Sequence, residues 1–127
     1  MCSENLNGVE FAGQLANLFY AIAAADKQIS EQEIKTSLDA FQNEWKKGGF
    51  TKLLEKNFNA LLISKPNTET CFESFQSFTQ KHSAYLTKAQ KIKIWNTADA
   101  IASSFANKNK SEVILLAKLK NLLMDIP

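Results

Sequence analysis

Arginine is absent from this 127-residue chain: all fifteen basic residues are lysine. Lysine is a point charge on a flexible stem and lacks the planar fork that grips phosphates and carboxylates at two points, so the composition argues against sequence-specific nucleic-acid binding. Glycine is scarce, with four residues, and none of them forms a phosphate-cradling loop or a nucleophile elbow. There is one histidine, His82, so metal chemistry through imidazole has no second ring to draw on and the H-E-x-x-H pattern is excluded. The two cysteines, Cys2 and Cys71, are far apart in sequence, which points to a reducing cytoplasm rather than a disulfide framework. Long apolar runs are lacking as well. The richest stretch, Leu15 to Ala25, is interrupted by Asn17 and falls short of the eighteen or so residues a membrane span needs. Residues Met1 to Gly8 are polar, so no cleavable signal is expected.

What the chain does have is apolar content, 45% of its residues. At this length one folded domain covering 1–127 is expected, burying roughly two-thirds of the surface its unfolded form exposes. Net charge is only +2 but unevenly spread: residues 1 to 45 hold seven acids against two lysines, and the remainder holds thirteen lysines against six acids. Such lysines ordinarily keep helix faces in water, while remaining available to an acidic partner.

Apolar residues return every three or four positions in segment after segment, without sustained alternation, which predicts an all-α domain, a compact bundle of about six helices. The first spans about Gly8 to Ala25, with Phe11, Leu15, Leu18, Ile22 and Ala25 as its core stripe. Ser30 and Glu33 form an S-x-x-E capping box that opens the second, whose stripe is Ile34, Leu38, Phe41 and Trp45. Lys46-Lys47-Gly48-Gly49 ends it, since glycine takes the left-handed backbone at little cost. A third helix over about Thr51 to Ile63 buries Leu54, Phe58, Leu61 and Leu62, and Ser64-Lys65-Pro66-Asn67 makes a turn. The fourth, about Thr68 to Tyr85, carries Cys71, Phe75, Phe78, His82 and Tyr85 on one stripe. Thr87 and Gln90 cap a fifth with Ile94, Ala98, Ile101 and Phe105 inward, and Ser111 opens a sixth with Leu115, Leu119, Leu122 and Ile126 inward. No stretch reads as a linker.

The corner between the first two helices holds an anomaly. Asp26 sits where the first helix should end, and a carboxylate there is disfavoured by about a few tenths of a kcal/mol unless a neighbour compensates it. The string Ala24-Ala25-Asp26-Lys27-Gln28-Ile29-Ser30-Glu31-Gln32-Glu33 resembles the signature turn of tellurite-resistance TerB-like domains. That resemblance implies a compact all-helical domain of about this length, acting in bacterial stress-response, phage-defence or membrane-linked assemblies, with divalent metal held in some members by acidic residues near the turn. A related pattern recurs in the second half of such domains, and here "AIAAADKQISE" at 21–31 can be laid on "AIASSFANKNKSE" at 100–112 with a two-residue gap. Lys27 stands where the family has glycine, and Asn107 where a second Asp would sit, which argues against a symmetric second site.

An EF-hand is excluded in both registers. With Asp26 at loop position five, positions one and three become Ile22 and Ala24; with Asp26 at position one, Ser37 replaces the closing glutamate. A looser divalent-cation site on Asp26, Glu31 and Glu33 stays open, beside the simpler reading in which Asp26 orders the turn through its own hydrogen bonds and Glu33 caps. That cation would be the protein's sole cofactor. Its signature is a saturable rise in melting temperature with calcium, manganese or zinc that Asp26→Asn abolishes. His82 and Cys71 read as core residues, about 16 Å apart along one helix and too distant to work as a pair. The sequence thus points to a non-enzymatic binding or assembly module of the bacterial cytoplasm, with a protein partner, no nucleic acid and no membrane span. The alternatives are a cation sensor centred on Asp26, an enzyme using Glu31 or Glu33 as a carboxylate base, and a homo-oligomer joined through Phe19, Tyr20 and Phe50, which lie off the main stripes.

Overall fold

The computed structural model describes residues 8–25, 31–45, 49–82, 86–103 and 110–125. These residues form six α-helices and no strand: α1 (Gly8–Ala23), α2 (Glu31–Glu44), α3 (Gly49–Ser64), α4 (Thr68–Lys81), α5 (Lys88–Ser103) and α6 (Lys110–Asp125). Helix order and number are those the periodicity predicts. The boundaries move by two residues at the end of α1 and the start of α3, and by four at the end of α4.

α1 lies at the centre. It packs chiefly on α3 and α4 and also touches α5, α2 and α6, while α2 lies on α5 and α3, and α6 leans on α5. A helix surrounded in this way has to be apolar on nearly every side, and α1 is: Phe11, Leu15, Leu18, Phe19, Tyr20 and Ile22 are all buried, with alanines filling the gaps between them. The single stripe read from the sequence is therefore only part of its buried surface. Phe19 and Tyr20 are core residues, and Phe50 packs against the same cluster, so the surplus apolar face expected from these three does not exist. Residues off one stripe of a central helix simply face another neighbour.

Aromatic rings join the helices around α1. Phe11 lies 6.0 Å from Trp45 in an edge-on arrangement and 5.9 Å from Phe78 in a stacked one. Phe41, from α2, bridges Phe19 at 5.4 Å and Phe58 at 5.1 Å. The buried Trp45 indole Nε1–H donates to Thr97 Oγ1 on α5 at 3.0 Å, and the same hydroxyl donates to the Lys93 carbonyl at 2.8 Å. Each buried polar group in this link is thereby satisfied.

Two of the turns are set by local chemistry. α3 ends on Lys65, whose amide donates to the Leu61 carbonyl at 2.8 Å and whose φ of 51° places it in the left-handed region; Pro66 then forbids continuation. Asn67 caps α4 by accepting from the Thr70 amide at 3.1 Å. At α5 the expected capping box is present in both directions, with the Thr87 amide donating to Gln90 Oε1 at 3.0 Å and the Gln90 amide to Thr87 Oγ1 at 3.1 Å.

Candidate functional site

The acidic corner comes first, because the sequence singles it out. Asp26 and Ser30 lie outside the described residues, as do Lys46 to Gly48, Tyr85, Phe105, Asn107 and Ile126, so neither the Asp26 turn nor the Ser30–Glu33 capping box has a described geometry. Glu31 and Glu33 occupy the first turn of α2, where carboxylates are favoured by the helix dipole. Glu31 is exposed and Glu33 half-buried, and the Glu33 carbonyl accepts the buried Ser37 hydroxyl at 2.8 Å. Among the described residues no group of three or more His, Cys, Asp or Glu is placed to hold a metal ion.

Cys71 and His82 sit on α4 and at its C-cap. Cys71 is a buried free thiol, and burial pushes its pKa up, the opposite of what a nucleophilic cysteine needs. Tyr20 is raised likewise, first by burial and then by the neighbouring Cys71. The His82 ring lies tilted against Phe78, with centroids 5.0 Å apart.

A polar concavity of about 340 Å³ opens between α1 and α3, lined by Glu10, Gly13, Gln14, Asn17, Asn57, Ala60 and Leu61. Its amides are engaged with the protein itself. Gln14 Oε1 accepts from Asn17 Nδ2 at 3.2 Å and from Ser74 Oγ of α4 at 3.1 Å, and Asn57 Nδ2 donates to the Leu53 carbonyl at 2.8 Å. Beyond its first turn this is the strip of α1 that reaches water, and Gln14 ties it to α4.

The feature without a structural task lies between α5 and α6. A groove of about 290 Å³ is lined by Ile92, Trp95, Leu123 and Met124, with Lys88, Lys91 and Lys120 around it. Ile92 is 52% exposed and Met124 72%. Helical spacing explains how both helices contribute. Beside its core stripe of Ile94, Ala98 and Ile101, α5 carries Lys88, Ile92 and Trp95 along a second line; beside Leu116, Leu119 and Leu123, α6 carries Val113, Ala117, Lys120 and Met124. The lysine stems add apolar wall to the groove. Single exposed apolar side chains need no explanation, but here several share one groove.

Sequence reasoning missed this groove. Its signal was the K-x-x-K-I-K-I-W run at 88–95, which puts apolar residues on two adjacent faces of one helix. Compared with protein-family models, curated proteins and solved structures, the chain matches none of them.

Proposed function

We propose that this chain is a non-enzymatic helical module that binds another protein, and that the α5–α6 groove is its binding surface. The observation carrying this reading is the lysine-rimmed apolar groove itself, in which Ile92 and Met124 stand in water beside Trp95 and Leu123. Contiguous apolar surface of this kind gains free energy when a partner covers it, by about 25 cal/mol per Å² of apolar area removed from water. The TerB-like turn at 24–33 is the ground for placing the module among bacterial stress-response or tellurite-resistance assemblies. A cytoplasmic setting fits the buried free thiol of Cys71.

The test compares the intact chain with the Ile92→Glu/Met124→Glu variant as baits in affinity enrichment, followed by reconstitution of any differential partner from purified components. The expected result is a partner that forms a saturable complex with the intact chain and not with the variant. Identical recoveries from both baits would remove the groove as the binding surface.

A further inference from the structure

The shape and charge of the groove identify its occupant. We infer that it receives the apolar face of an acidic amphipathic helix from a partner protein, whose carboxylates pair with Lys88 and Lys120. This inference rests on the reading of the α5–α6 face as a protein-binding surface.

Length is the first argument. From Lys88 to Trp95 the groove follows two turns of α5, about 10 Å at 1.5 Å per residue, which matches the span of anchors at i, i+3 or i+4, and i+7 on a docking helix. Along α6 the same apolar line continues outward to Val113, which is half exposed, so a longer helix has surface to follow. Form is the second. The groove is open along one side, whereas a small amphiphile needs a site that encloses most of its surface. Trp95 is half-buried and Leu123 buried beside the exposed Ile92 and Met124, an uneven surface that a side chain fits better than a flat bilayer does.

Charge decides between the remaining occupants. Among the described residues the lining holds three lysines and no acid, and from 81 to 120 the sequence has eight lysines against two acids. A second copy meeting this face across a two-fold axis sets lysine against lysine, because such an interface pairs each patch with itself. The acidic α2 of a second copy offers charge without anchors: its exposed residues are Glu31, Gln32, Lys35, Asp39, Gln42 and Asn43, all polar. A partner that supplies both apolar anchors and carboxylates is required, and an acidic amphipathic helix carries both on adjacent faces.

The experiment uses the full chain and a helix-stabilised peptide of about four turns, with leucines on one face and glutamates flanking them. Two control peptides replace the glutamates by lysine or the leucines by serine. Binding is read from the indole N–H resonances of the two tryptophans, assigned with Trp95→Phe. Trp95 lines the groove, and Trp45, bonded to Thr97 in the core, is the internal reference. The glutamate peptide is expected to shift Trp95 saturably below about 1 mM while Trp45 stays in place. Affinity should fall about ten-fold as salt rises from about 50 to about 500 mM, since lysine pairs at a rim are screened. Lys88→Glu/Lys120→Glu should reverse the preference toward the lysine peptide.

Equal binding of glutamate and lysine peptides overturns the acidic occupant, and so does binding of the serine control. Binding to anionic phospholipid vesicles with no peptide binding overturns it too, as does a dimer that Met124→Glu dissolves. If peptides fail and the enrichment experiment still yields a partner sensitive to Ile92→Glu/Met124→Glu, only the acidic helix is wrong; if both fail, the binding surface goes with it.

Discussion

α1 and α6 are both sixteen residues long and come to opposite ends. α1 is enclosed by its neighbours and meets water only along the strip of Gly13, Gln14 and Asn17, apart from its first turn. α6 buries Leu116, Leu119, Leu122 and Leu123 on one side and leaves Val113, Ile114 and Met124 exposed. Both are rich in apolar residues, yet in α1 those residues close a core, and in α6 part of them stands exposed. Apolar content alone therefore does not separate a residue that holds the fold from one left at the surface. Position in the bundle does.

The contrast is sharpest in Phe19→Ala. Phe19 is fully buried and its ring packs 5.4 Å from Phe41, so truncation removes a large apolar group and leaves a cavity that a central helix is poorly able to collapse. Chemical denaturation should show a loss of about 3–5 kcal/mol. A loss below about 1.5 kcal/mol would mean that α1 is not the enclosed centre of the bundle.

Thr97→Val tests how the outer helices are locked around α1. The substitution conserves shape, removes the acceptor of the Trp45 indole N–H and leaves that donor buried. The expected cost is about 1–3 kcal/mol, read as a shift in denaturation midpoint with an unchanged slope. If Thr97→Val is neutral, the indole has another acceptor and α2 is held to α5 by packing alone.

A smaller effect comes from pH. Cys71 and Tyr20 both keep their protons to higher pH in the folded chain, because burial disfavours the charged forms. Above the ordinary thiol value of 9.0 the unfolded chain binds fewer protons than the folded one, so stability is complete below that pH and declines as pH rises from there through the folded values. Thermal melts across this range should fall more steeply for the intact chain than for Cys71→Ala, which lacks the thiol. Parallel curves would show that Cys71 ionises as freely inside the bundle as outside it.

These residues also show what a sequence discloses. Capping is written in neighbouring residues, so Thr87 and Gln90 could be paired by spacing and are found bonded in both directions. The stripe of Cys71, Phe75 and Phe78 is likewise a matter of one helix and its period, and all three are buried. Phe19 and Tyr20 were misplaced because a stripe presumes a helix with one buried face, while the apolar run from Leu18 to Ala25 already covered the whole circumference. The groove was illegible for a different reason. Its walls come from helices whose facing residues, Ile92 and Met124, are 32 positions apart, and a lysine beside an isoleucine reads as a solvated face until a second helix lies next to it.

The smallest expected effect on stability belongs to Met124→Gln, and it bears hardest on the comparison. Met124 ends the outward line of α6 and is 72% exposed, so it loses little on replacement by a polar side chain of similar size. The change in unfolding free energy should stay within about 0.5 kcal/mol, while binding of the glutamate peptide weakens by loss of an apolar anchor. A cost above about 1.5 kcal/mol would show that this face of α6 is already covered within the folded chain. α6 would then be a second enclosed helix like α1, and the groove would lose its standing as a surface left open for a partner.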